Sequence, residues 1–141
     1  MTKQPNKFTC LPTALAMLVN DDPARVIEYI NNDGTRVVDG IHMAPHPQEI
    51  TDAAWGLYMM PLTFIQRVLR FSLNSVYYEV LSIDACDDRI EGYLEYDSII
   101  ISEDRAHAWA YKDGKLLCPT AGREVPMIDI CIIDSLLVYL R

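Results

Sequence analysis

From Leu11 to Val19 the chain reads Leu11-Pro12-Thr13-Ala14-Leu15-Ala16-Met17-Leu18-Val19, apolar throughout except at Pro12 and Thr13. Nine residues are too few to cross a bilayer, so the run predicts a helix buried in a core. Proline suits the first helical turn, where its missing N–H would have had no intrahelical partner, so Cys10 or Leu11 marks the start. That puts the Cys10 sulfur beside unpaired N–H groups at the positive end of the macrodipole. Such a setting favours the thiolate and predicts a pKa below the free value of about 8.5. A thiolate attacks carbonyl carbon. The plainer alternative is a cysteine that merely packs, since cysteine is among the most buried residue types.

Two other residues bear on that choice. Gln4 lies six residues ahead of Cys10, and its amide N–H₂ is a donor for an oxyanion forming next to the sulfur. His107 lies far downstream in Ala106-His107-Ala108-Trp109-Ala110-Tyr111, as expected for a base that meets its cysteine in space and not in sequence. A glutamine, a cysteine opening an apolar helix and a late histidine opening a strand together resemble the papain-like cysteine peptidases. The closest likeness is to the domains that process double-glycine (bacteriocin) leader peptides and to their C39-like relatives, including small bacterial and phage-encoded forms. It follows the order of elements over most of the chain and is tight at Gln4–Val19 and Ala106–Pro119.

A chain of 141 residues fits one domain, expected over residues 1–141, and can bury about two-thirds of its unfolded surface in a single core. With 50% hydrophobic and 23% charged residues, the composition is globular and not disordered. The formal charge of −8 carries no nucleic-acid footprint and would weakly attract basic peptides or partners. No stretch has the length and polarity of a transmembrane helix, and there is no internal repeat or low-complexity tract. Cys10, Cys86, Cys118 and Cys131 form no C-x-x-C pair, and the N-terminus lacks the profile of a signal peptide. A reducing cytoplasm is therefore expected, which also keeps a nucleophilic thiol reduced.

Further along, Asp22 and Pro23 read as the cap and first position of a second helix with Val26, Ile27 and Ile30 on its apolar face, stopped by Asn31–Gly34. Asp39–Pro47 is a proline-broken loop, and Pro47 starts a third helix that ends at Gly56. In the C39-like relatives a similar glycine-led loop and short helix flank the substrate groove. Thr63–Arg70 fits a helix somewhat better than a strand, Ser75–Leu81 a strand, and Asp84 or Asp87 could cap a short helix through Leu94. Ser98–Ser102 reads as a central strand, followed by a charged turn at Glu103–Arg105. Ala106–Tyr111 and Lys115–Cys118 form a hairpin around Asp113-Gly114, and Ile128–Ile133 and Leu136–Leu140 add strands. The expected fold is α+β and papain-like, with N-terminal helices, a central Cys10 helix and a C-terminal antiparallel sheet packed against it.

A two-residue loop at Asp113-Gly114 pairs Tyr111 with Leu116, Ala110 with Leu117, Trp109 with Cys118 and His107 with Thr120. His107, Trp109, Cys118 and Thr120 then share one face. The family has Asp or Asn before the proline of the returning strand, to orient the histidine; Cys118 stands there, ahead of Pro119. Thr120 Oγ, across from His107, is the substitute that the register offers. Asp113 is out of reach, because six strand residues at roughly 3.3 Å each put it about 20 Å away.

The site expected is thus Cys10 as nucleophile, His107 as base, Gln4 in the oxyanion hole, and Thr120 and Cys118 around the imidazole. It implies a hydrolase acting on a peptide, isopeptide or related acyl bond of a peptide or protein substrate, with no cofactor and no metal. His42 and His46 lie in the proline-broken loop without a third ligand and are expected to be solvated. The departure at Cys118 supports an alternative: a weak or inactive papain-like shell that binds a host or partner protein.

Overall fold

The computed structural model describes residues 2–66, 70–73, 76–79, 97–102, 107–126 and 133–139. Helix α1 (Cys10–Val19) starts at the cysteine, with Pro12 in its first turn, and closes on Asn20 in the left-handed region at φ 56°. Asp22 caps α2 (Pro23–Ile30) by accepting the Ala24 N–H at 2.9 Å, and Asn31 closes it at φ 53°. A small hairpin, β1 (Val37–Val38) and β2 (Ile41–His42), precedes α3 (Pro47–Tyr58).

The α3 cap is a histidine. His46 Nδ1 accepts the Gln48 N–H at 3.1 Å while the Glu49 carboxylate accepts the His46 N–H at 3.0 Å, a reciprocal arrangement that leaves few orphan donors. Gly56 does not end this helix, contrary to expectation. The helix runs on to Tyr58 and stops at Met59, φ 51°, while Gly56 leaves the space in which the Tyr29 hydroxyl sits.

Thr63–Gln66 and Arg70 are extended and not helical, contrary to expectation: they belong to β3 (Thr63–Gln66) and β4 (Arg70–Leu73), and residues 67–69 of the expected helix lie outside the described residues. β3 pairs antiparallel with β10 (Ile133–Val138), Phe64 opposite Leu137 and Ile65 opposite Leu136. Over so short a segment, cross-strand pairing of aromatic and β-branched residues outweighs a helical period. β5 (Val76–Glu79) falls within the strand expected at Ser75–Leu81 and pairs with β4. The helix expected through Leu94, the turn at Glu103–Arg105 and residues 128–132 of a C-terminal strand lie outside the described residues.

The remaining strands are β6 (Ser98–Ser102), β7 (Ala108–Lys112), β8 (Lys115–Cys118) and β9 (Arg123–Val125). With β3 and β10 they form a six-stranded sheet of order β3-β10-β6-β7-β8-β9, each neighbouring pair antiparallel. Asp113 and Gly114 both have positive φ (52° and 76°), the I′ geometry that suits the strand twist, and the register pairs Tyr111 with Leu116 and Ala110 with Leu117. The protein is therefore α+β, with helices preceding an antiparallel sheet.

Alternation along the strands builds the core. Ile99, Ile101, Ala108, Ala110, Leu117 and Leu137 pack with Ala14, Leu15 and Leu18 of α1, which is buried nearly all round. Ile100, Trp109, Leu116 and Leu136, on the other face, are buried as well, which explains the unbroken apolar run of β6. Ala108 and Ala110 are small, so α1 lies close to the β7 backbone. Among the described residues no helix is long and apolar enough to cross a membrane.

Candidate active site

The loop ahead of Cys10 is organised by Asn6. Its side-chain oxygen accepts the Phe8 N–H at 2.8 Å, its Nδ2 donates to the Asp33 carbonyl at 3.0 Å, and its own carbonyl accepts the Thr9 hydroxyl at 3.0 Å. This Asx turn delivers the chain into α1 at a fixed angle. Nothing in the Cys–His reasoning singles out Asn6, although Pro5-Asn6 is a turn dipeptide.

The same loop is clasped to the far end of the sheet. The Gln4 N–H donates to the Pro119 carbonyl at 2.9 Å, and the turn after β8 closes through the Gly122 N–H on the Cys118 carbonyl at 2.7 Å. Gly122 has φ 69° and packs against Lys3 with no room for a Cβ. The segment ahead of α1 and the turn after β8 thus meet.

His107 immediately precedes β7. Its ring stands edge-on to Trp109, centroids 4.4 Å apart at 90°, and its Nε2 lies 3.4 Å from Cys118 Sγ. Trp109 and Cys118 share a face because the hairpin loop has two residues, as expected. The partner expected for the imidazole, Thr120, is not in that place: its hydroxyl donates to Gln4 Oε1 at 3.2 Å. β8 ends at Cys118, and Pro119 has no N–H to continue a ladder, so the chain turns away before Thr120 can face His107.

Gln4 is also held differently from expectation. Its Nε2 donates to the Asn6 carbonyl at 2.8 Å while its Oε1 accepts from Thr120. A carbonyl can only accept and so fixes which end of the amide is nitrogen. One of the two amide hydrogens is thereby used within the loop, and donation to an oxyanion would fall to the second.

Cys10 is buried, only 8% exposed. Burial pushes its thiol above the ordinary range, against the pull of the N–H groups of Ala108, Leu11 and Cys10 itself; negative charge on Cys118 pushes the same way as burial. The lowering expected from the helix N-terminus is therefore overturned. The N–H groups are there, but the cost of taking a charge out of water exceeds what they return. The two sulfurs thus lie near adjacent residues at the start of β7, Cys118 against the ring of His107 just ahead of the strand and Cys10 near the N–H of its first residue, Ala108.

Cys10 and Cys118 are both free thiols, and Cys86 and Cys131 lie outside the described residues. His42 is exposed and its ring stacks on Phe8, centroids 4.5 Å apart, while His46 serves as the α3 cap. Among the described residues no group of three or more His, Cys, Asp or Glu is arranged to hold a metal ion.

The His107 imidazole thus meets the Cys118 thiol, the buried Cys10 thiol lies near the N–H of the next residue, Ala108, and the Gln4 amide is anchored on Asn6 and Thr120. The parts allow proton transfer and nucleophilic attack by sulfur. Compared with protein-family models, with curated proteins and with solved structures, the chain matches none.

Proposed function

We propose that the protein is a papain-like cysteine hydrolase of the C39-like kind, acting on a peptide, isopeptide or related acyl bond of a peptide or protein in a reducing cytoplasm. Cys10 gives its proton to His107 and its sulfur attacks the carbonyl carbon. The Cys10 backbone N–H and the second amide hydrogen of Gln4 hold the oxyanion. The leaving amine takes the proton back from His107, and water releases the thioester. The observation that supports this reading is that the Cys10 sulfur lies near the N–H of Ala108, the residue after His107, alongside the His107–Cys118 contact and the Gln4–Pro119 bond.

The experiment uses p-nitrophenyl acetate as an activated acyl donor. Release of nitrophenol with an acetyl group mapped to Cys10 by mass spectrometry, and loss of both in Cys10→Ala and His107→Ala, is the expected result. Acetylation confined to other residues would sink the reading.

A second reading, a binding protein without turnover, draws on the burial of Cys10 and on a thiol in place of a carboxylate or carboxamide beside His107. It expects no acetyl-Cys10 and a biological effect that survives Cys10→Ala.

A further inference from the structure

The Gln4 side chain is held at both ends of its amide. Its Nε2 donates to the Asn6 carbonyl at 2.8 Å, and its Oε1 accepts the Thr120 hydroxyl at 3.2 Å. A single bond to a planar amide leaves the group free to swing about the line of that bond. A second bond at the opposite end fixes the plane, and with the plane the direction of the remaining N–H. Donation to Oε1 also draws electron density from the nitrogen, so that the remaining N–H becomes the stronger donor.

The two anchors belong to different parts of the fold. The Asn6 carbonyl also accepts the Thr9 hydroxyl at 3.0 Å, which ties the amide to the residue just ahead of Cys10. Thr120 stands in the turn after β8, behind Cys118, whose sulfur lies 3.4 Å from His107 Nε2, and Pro119, whose carbonyl accepts the Gln4 N–H at 2.9 Å. Residues 118–120 thus touch in turn the imidazole, the Gln4 main chain and the Gln4 amide.

We propose that Thr120 is a positioning residue for the oxyanion donor: its hydroxyl fixes the plane of the Gln4 amide and aims the second Nε2 hydrogen at the oxyanion. This rests on the reading of Gln4 as the oxyanion donor of the proposed hydrolase. It moves Thr120 from the base, where the sequence register put it, to the other half of the site. Thr120 is exposed and Gln4 half-buried, so the bond has the net worth of an ordinary hydrogen bond near solvent. Its loss lowers the rate by about three- to tenfold, against roughly 100-fold for loss of the donor itself.

The test uses the full chain, with p-nitrophenyl acetate as acyl donor and ¹⁵N-glutamine labelling, the Gln4 amide signals being those missing from Gln4→Ala. Thr120→Val keeps the shape of the side chain and removes the hydroxyl. It should slow Cys10 acetylation by about three- to tenfold and lower the ¹⁵N heteronuclear NOE of the Gln4 amide, and Thr120→Ser should restore both. In a Gln4→Ala background Thr120→Val should change nothing further, because the hydroxyl acts only through that amide. An acetylation rate that ignores Thr120→Val, or equal slowing with and without Gln4, would overturn the proposal. So would Gln4 amide signals that stay as they are in Thr120→Val. A parent chain that forms no acetyl-Cys10 overturns the hydrolase reading and the proposal with it; normal acetylation in the parent with no response to Thr120→Val overturns the proposal alone.

Discussion

The backbone N–H of Gln4 donates to the carbonyl of Pro119 at 2.9 Å, joining the segment ahead of the Cys10 helix to the turn that follows the Cys118 strand. The bond is main chain to main chain, so substitution at position 4 leaves it in place. Side-chain and backbone roles of Gln4 can therefore be separated by mutation.

Gln4→Ala should lower the rate of Cys10 acetylation by p-nitrophenyl acetate by roughly 100-fold, the usual cost of one oxyanion donor. The thermal midpoint should move little, because the lost partners, the Asn6 carbonyl and the Thr120 hydroxyl, lie near solvent and the Gln4–Pro119 bond remains. An unchanged acetylation rate would remove Gln4 from the chemistry.

Gly122→Ala should be destabilising by about 1–2 kcal/mol, since an L side chain resists the left-handed backbone. Gly122 has φ 69°, and the new Cβ would also press on Lys3. Amide exchange at Gln4 should then accelerate more than exchange in β7, as measured by NMR. Equal acceleration at both would mean that the clasp is no separate unit.

Cys10 should alkylate with iodoacetamide more slowly than Cys118 at neutral pH, and its rate should still be rising above the ordinary thiol value of about 8.5. Because burial pushes the Cys10 thiol up, the folded chain keeps a proton that the unfolded chain has already released. The stabilisation is full below the unfolded thiol value and is lost as pH rises through the folded one. Urea midpoints should fall across that alkaline range, and Cys10→Ala should flatten the fall. A Cys10 rate that levels off below the ordinary value would contradict the burial argument.

A second pH dependence sits at the other end of α1. The Tyr58 hydroxyl donates to Asp21 Oδ2 at 2.7 Å, and Arg25 Nη1 reaches the same oxygen at 3.3 Å. The Tyr58 bond, ahead of the Asp22 N–H, holds the Asp21 carboxyl below the usual range. Burial first, then that same carboxylate, pushes the Tyr58 hydroxyl up. A depressed carboxyl stabilises above its unfolded value and loses that contribution as pH falls through its folded one. Tyr58→Phe should therefore lower the midpoint at neutral pH and make acid unfolding shallower. An acid limb identical to that of the parent chain would show that the bond carries no linkage.

Much of this was legible in the sequence where a local rule has a single outcome. Pro12 and Pro23 set helix starts, Asp113-Gly114 set a two-residue loop, and the period of two placed Trp109 and Cys118 on one face. What depended on distant partners was not legible. Phe64 and Ile65 are strand residues because β10 lies beside them, and Gly56 is an interior helix residue because Tyr29 sits on it. Thr120 lost its place opposite His107 to the turn at Pro119, and the pKa of Cys10 changed direction because neither charge nor spacing in a sequence reports burial.

β10 sits inside the sheet, with Leu137 facing Phe64 on one side and Ile99 on the other. The loops that must close to bring those neighbours together are long, and their entropy is spent before any pairing repays it. The β7–β8 hairpin, closed by two residues, needs no such wait. The imidazole and the second thiol can thus come together early in refolding, while the slot between β3 and β6 stays open until residues 133–138 arrive. Insertion of that strand, and not formation of the hairpin, should set the pace at which the molecule becomes whole.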